Sequence, residues 1–305
     1  MLNLYMNNLI DIEKATLILS GIYALKDGVF VIIMNYSEAL GIAYKVRPFM
    51  ELVNNQESNT PVIKNQTIDN DILVSLENIS FSYNDLDRDS INNFNFKILN
   101  NQSIAIVGNN GAGKSTLIKL LCGFYQPTGG QFLWNKKIKY PKILAMFQDF
   151  SKFPLSVADN LILDNAAYEN IDSFLTRVDL DFLSGKLDDV LSFEISGHDL
   201  SIGQWQKLSL ARVLLHAEKA DLLIFDEPNS ALDPQSEANI IDLILEESKK
   251  KTSIIISHRM SVCKFVDDVI VMDNGQIIEY GNHEHLMAKK GKYYKMFSEQ
   301  ARFYL

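Results

Sequence analysis

Eight consecutive residues, Gly108-Asn109-Asn110-Gly111-Ala112-Gly113-Lys114-Ser115, follow a short apolar run, Ser103 to Val107, and precede a helical stretch. Their types describe an anion cradle. Glycines let the backbone turn its N–H groups inward around phosphate oxygens, and the helix that follows adds its positive end. Lys114 then reaches the terminal phosphates of a nucleotide, and the Ser115 hydroxyl is placed for Mg²⁺. A glycine-rich turn that binds nothing is the bland alternative, and the strand before the loop and the helix after it argue against that.

Other polar residues stand at the ends of apolar runs. Gln148 follows Ile143 to Phe147, Asp226 and Glu227 follow Leu222 to Phe225, and Ser257-His258 follows Ser253 to Ile256. Short continuous apolar runs separated by helical stretches describe a parallel sheet covered on both faces, and such sheets bind ligands at the carboxyl ends of their strands. That address gathers these residues and the loop into one composite site. Asp226 suits Mg²⁺ held through water, since this hard cation takes one or two carboxylates plus phosphate oxygens. Glu227 is left to orient or deprotonate an attacking water. His258 donates to a γ-phosphate or positions water. The alternatives are a solvated charge pair for the two acids and a structural role for the histidine. Tyr83 ends a strand before a polar loop, where it either stacks on a base or packs at an edge.

Leu200-Ser201-Ile202-Gly203-Gln204 precedes a helix expected from about Trp205 to Leu215, with Ser201 as its cap. The same geometry offers an anion site to a second molecule. In His283-Glu284-His285, two residues of spacing on a helix splay the rings apart, which speaks against a metal site. Leu76 to Tyr83 and Asn93 to Ile98 alternate as half-buried strands of a separate antiparallel layer. Val269 to Met272, Asn274-Gly275 and Gln276 to Glu279 spell a hairpin, expected to close the domain rather than the site.

The amino-terminal apolar run, Ala15 to Met34, carries Lys26 and Asp27 at its middle. Each charge at the centre of a spanning helix costs roughly 2.5–3.5 kcal/mol, so the run reads better as two pieces, Ala15 to Leu25 and Val29 to about Tyr44, around a polar corner at Lys26-Asp27-Gly28. Each piece is shorter than the roughly 20 residues that cross hydrocarbon. They pack as helices on each other or on a partner, or form a membrane-embedded hairpin. No basic residue occurs in Met1 to Glu13, against a signal peptide. Residues Val53 to Asp71 are polar and aperiodic and read as a linker.

The full chain has 305 residues, 47% of them hydrophobic and 22% charged, enough for a globular core without staples. A net charge of −9 is the wrong sign for a protein that neutralises a phosphate backbone, so nucleic acid is not an expected partner. Cys122 and Cys263 lack the spacing of a zinc site or redox pair and read as free thiols of a reducing compartment.

Taken in order, Tyr83, GNNGAGKS, Gln148, LSIGQ, LLIFDEP, SALD (Ser230 to Asp233) and His258 resemble the nucleotide-binding domain of ATP-binding cassette (ABC) proteins. GQWQKLSLAR, FDEPNSALDP, ISHRMSVCKF and the ending DNGQIIEYGNHEHLMAKKGKYYKMFSEQA look like exporters that carry membrane and ATPase domains in one chain, including peptide and bacteriocin exporters. The resemblance implies an α/β fold: a P-loop NTPase nucleotide-binding domain over residues 76–305, with an antiparallel β layer and a helical subdomain at Asp149 to about Gly197. Before it would stand a linker over 53–75 and a short helical transmembrane-domain remnant over 1–52, ending in the Lys45-Val46-Arg47-Pro48-Phe49 exit. It also implies that Gly108 to Thr116 hold ATP, that Tyr83 stacks adenine, and that Ser115, Gln148 and Asp226 serve Mg²⁺. Glu227, His258, Gln148 and Lys114 would carry catalysis, while Ser201 would meet the γ-phosphate of an opposite subunit, Gly203 and Gln204 would join it in binding nucleotide, and Asp233 would align the dimer.

This chain departs from the pattern at Ile202, where the signature has glycine, and in a shortened connection between Gly130 and Gln148. The expected function is an ATP-hydrolysing exporter subunit at the cytoplasmic side of the cell membrane. It would work as a homo- or heterodimer with a partner chain that supplies the transmembrane pathway. A non-catalytic subunit is the first rival, motivated by Ile202 and the short membrane segment. A soluble cassette ATPase is the second, and the net charge and the apolar segment oppose it.

Overall fold

The computed structural model describes residues 12–54, 69–83, 89–135, 137–138, 141–162, 171–192, 195, 199–228 and 234–302. The chain divides into two units, Met1–Thr60 and Pro61–Leu305.

Among the described residues of the first unit, one helix, α1, runs over Ile12–Asn54. The expected corner at Lys26-Asp27-Gly28 does not form. One glycine costs a helix about 1 kcal/mol against alanine, and charged side chains cost it little, so neither is enough to interrupt the hydrogen-bond ladder. The hydroxyls of Thr16 and Ser20 donate to the carbonyls of Glu13 and Leu17, 2.9 Å in each case, which hides their polarity within the helix. Thr16–Tyr36, with a mean hydropathy of 1.9 in its apolar window, is exposed throughout. At about 1.5 Å per residue that stretch is long and apolar enough to cross a hydrocarbon layer, which neither of the two expected pieces was.

The described residues of the second unit form two sheets. Strands β1 (Ile72–Phe81), β2 (Ile91–Leu99) and β4 (Gly129–Trp134) form an antiparallel sheet in the order β2-β1-β4. Strands β3 (Ser103–Val107), β5 (Ile143–Met146), β6 (Leu222–Asp226), β7 (Ser253–Ile256), β8 (Asp268–Asp273) and β9 (Gln276–Gly281) form the other, in the order β5-β6-β7-β3-β8-β9. It is parallel except for the β8-β9 hairpin. Its turn residues Asn274 and Gly275 both take positive φ, 47° and 75°, as a hairpin turn of this length requires. Strand β4 answers to no expected element, because Gly129-Gly130 breaks the alternation that would have marked it. β1 starts at Ile72, four residues before the expected strand.

Side chains alternate between two cores. Ala105 and Val107 face one and Ile104 and Ile106 the other, as do Leu223 and Phe225 against Leu222 and Ile224. The period of two in a strand buried on both faces produces this division. On one side lie the antiparallel sheet and helix α2 (Lys114–Leu121). On the other lie α3 (Val157–Leu161), α4 (Ile171–Arg177), α5 (Ile202–His216), α6 (Pro234–Ser248), α7 (His283–Lys289) and α8 (Lys292–Arg302). Ser201 caps α5: its hydroxyl accepts from the Gln204 N–H at 3.3 Å, and the Gln204 side chain accepts from the Ser201 N–H at 2.8 Å.

Candidate active site

The loop from Gly108 to Gly113 leaves β3 and enters α2 through Gly113 at φ 99°, a conformation that favours glycine. A Cβ there would lie 2.5 Å from the Ser90 carbonyl oxygen and 3.0 Å from Ile91 Cδ1. The hairpin turn backs the same loop, with the Gly275 N–H donating to the Ala112 carbonyl at 3.0 Å. The expectation that the hairpin serves only to close the domain is therefore corrected: it also holds the loop's shape.

A cavity of about 230 Å³ is lined by the run from Asn110 to Thr116 together with Gln148 and Glu227. Lys114 Nζ donates to the carbonyls of Gly108 (2.9 Å) and Asn109 (3.2 Å). Burial pulls the Lys114 ammonium below its usual range, against the opposing pull of Glu227 and Asp226. Burial likewise raises the Asp226 carboxyl, a hydrogen bond from Ser115 works against it, and Glu227 adds to it. One Asp226 oxygen, Oδ1, is buried without a partner.

A carboxylate with a spare buried oxygen, near a serine hydroxyl and next to a phosphate-shaped loop, is the oxygen donor set that Mg²⁺ takes. Among the described residues no cluster of three or more His, Cys, Asp or Glu could hold a metal alone. An ion at Asp226 would therefore complete its shell with water and phosphate.

Glu227 follows β6 at φ 50°, an unusual conformation for a residue with a side chain, and its N–H donates to the Ile256 carbonyl at 2.9 Å. The bond extends the β6-β7 pairing by one residue before the chain turns. It aims Glu227, whose side chain is 13% exposed, toward His258 at the end of β7, where Nε2 lies 2.6 Å from Glu227 Oε1. Tyr83 leaves β1 with its ring edge-on to Phe81 (4.9 Å) and Tyr125 (5.4 Å) and its Oη 3.4 Å from Thr116 Oγ1.

Lys114, Ser115, Gln148, Asp226, Glu227, His258 and Tyr83 thus come together around the loop. Ser201, Gly203 and Gln204 do not line the cavity; they form the start of α5, where Ile202 is 60% exposed. Asp233 lies outside the described residues. Away from the site, burial lifts the thiols of Cys122 and Cys263 to about 12. His283 Nδ1 lies 2.7 Å from Tyr293 Oη.

The contacts behind His258 have no signal in the sequence. The Arg259 guanidinium pairs with buried Glu237 on α6, and Gln300 on α8 bonds the backbone of His258 and Met260. No local pattern links residues so far apart in the chain.

Residues 91–230 match the family model described as ABC transporter. The chain is 33% identical over 283 residues to the nisin transport ATP-binding protein of Lactococcus lactis subsp. lactis, covering 85% of this chain and 47% of that protein. It is 38% identical over 240 residues to the subtilin transport ATP-binding protein of Bacillus subtilis, covering 73% and 39%. Among solved structures, a bacterial Atm1-family ABC exporter with ATP bound superposes with a TM-score of 0.69 at 27% identity, covering 86% of this chain and 47% of that one. The chain spans less than half the length of each of these relatives.

Proposed function

Residues 91–230 are an ABC transporter domain, which places this chain in that family, and from that premise we propose that it is the ATP-binding and ATP-hydrolysing subunit of an exporter. The observation that carries the reading is the cavity in which Lys114, Ser115, Gln148 and Glu227 meet, with His258 Nε2 against Glu227 Oε1.

In this reading the N–H groups from Gly108 to Thr116 bind the phosphates, Lys114 neutralises the terminal ones, and the Tyr83 ring, steadied by Phe81 and Tyr125, stacks on adenine. Ser115 and Asp226, with Gln148, hold Mg²⁺, which when bound offsets charge on the leaving phosphates. Glu227 orients and deprotonates the attacking water, and His258 holds the Glu227 carboxylate and reaches the γ-phosphate.

A second protomer completes the enclosure, its Ser201-Gly203-Gln204 corner capping the nucleotide of the first; among the described residues that corner does not line the cavity beside the loop of its own chain. Asp233 aligns that dimer, homomeric or heteromeric. A partner chain supplies the transmembrane pathway and docks on the α3–α4 region. The Thr16–Tyr36 stretch supports attachment at the membrane, with the ATPase unit on the cytoplasmic side. A peptide cargo fits the nisin and subtilin transport relatives.

Glu227→Gln tests the reading. The variant should bind ATP as the parent does, lose hydrolysis by about a hundredfold or more, and accumulate an ATP-bound dimer. Hydrolysis at the parental rate would remove Glu227 from its role.

A non-catalytic subunit is the second reading, favoured by the exposed Ile202 where the resemblance expects glycine. No turnover by the parent chain, with or without a transmembrane partner, would establish it.

A further inference from the structure

His258 is half-exposed, and the side-chain contact that fixes its ring is the one to Glu227. A residue placed this way takes its direction from its backbone, and that backbone is pinned from another helix. The Gln300 side-chain amide donates through Nε2 to the His258 carbonyl at 2.6 Å and accepts through Oε1 from the Met260 N–H at 2.6 Å. One planar amide therefore closes over the main chain on both sides of Arg259. The Arg259 N–H is itself tied to Ser257 Oγ at 2.9 Å, and its guanidinium to Glu237.

The helix that delivers Gln300 is firmly seated. The Glu279 carboxylate accepts from the N–H groups of Lys292 (2.8 Å) and Tyr293 (2.9 Å) at the first turn of α8. The Tyr293 ring is fully buried, and Lys264 Nζ sits 5.2 Å from the centre of the Phe297 ring. A strand-end loop free to choose its ψ angles would let the imidazole swing into solvent, whereas a clamp from a packed helix holds it against Glu227.

We propose that Gln300 is a positioning residue for His258, holding the imidazole against Glu227 through its paired bonds to the backbone of residues 258 and 260. The proposal rests on the hydrolytic reading only for its consequence in turnover; the positioning itself is measurable without nucleotide.

The test uses the full chain and Gln300→Met, which keeps the length of the side chain and removes both bonds. A second variant, Gln300→Glu, keeps an acceptor for the Met260 N–H and loses the donor to His258. The imidazole ¹⁵N resonances of His258, assigned by their loss in His258→Ala, should move toward those of a free imidazole in Gln300→Met and move less in Gln300→Glu. In the same preparations kcat for MgATP should fall by about tenfold or more in Gln300→Met, with KM within about twofold, since misplacement of a catalytic group costs the chemical step. In a His258→Ala background the same substitution should cost less than about twofold, because its effect passes through the imidazole.

An unmoved His258 resonance in Gln300→Met overturns the proposal, as does an equal loss of kcat with and without His258. If the parent chain shows no turnover, the hydrolytic reading fails and the resonances alone decide whether Gln300 positions His258.

Discussion

Glu227 Oε1 and His258 Nε2 lie 2.6 Å apart at the ends of two neighbouring parallel strands, β6 and β7. The pairing register puts Asp226 beside Ile256. Each chain continues past that register by one or two residues, so the next acid and the next base meet at the sheet's carboxyl edge. The positive φ of Glu227 turns its carboxylate toward this edge, and the buried Asp226 stays behind it facing Ser115. Two adjacent carboxylates are thereby given different surroundings, which is how neighbouring acids come to do different work.

Lys114→Ala should weaken nucleotide binding itself. The ammonium is buried and held by two loop carbonyls, so its removal takes away both a charge for the terminal phosphates and two braces of the loop. A hydrogen bond to a charged group contributes about 1.5–3 kcal/mol, corresponding to a roughly ten- to hundredfold rise in Kd for MgATP by calorimetry. Unchanged affinity would contradict the assignment.

Gly113→Ala should damage the loop before any chemistry is considered. The left-handed backbone costs a residue with a Cβ about 1–2 kcal/mol, and the new methyl would press on the Ser90 carbonyl. A melting temperature lowered by several degrees, together with lost ATP binding, is the expected result, whereas Gly111→Ala meets no neighbouring atom and should lose less.

Acid should weaken the seat of α7 and α8. Burial holds His283 below its ordinary value of 6.5, with Lys264 acting in the same direction and Glu284 against it. A histidine with a depressed native value binds fewer protons folded than unfolded, so stability falls as pH drops below about 6.5 and the loss is complete below the native value. Melting temperature measured from pH 7.5 to 5 should fall more steeply in the parent than in His283→Gln. Equal slopes would show that His283 does not contribute.

The loop, the central strands, the hairpin turn and the Ser201 cap were legible in the sequence because each is fixed by neighbours within a few residues: a period of two, an Asn-Gly pair, a hydroxyl before a helix. The order of Asp226, Glu227 and His258 along the chain placed them at strand ends for the same reason. Tertiary structure decided what depends on distant partners. It paired β4 with β1 despite Gly129-Gly130, and it brought Ser90 and Gly275 behind the phosphate loop. It also brought Glu237 and Gln300 to the His258 turn, through contacts between elements whose meeting follows from sheet order and helix packing and leaves no periodic trace in the sequence.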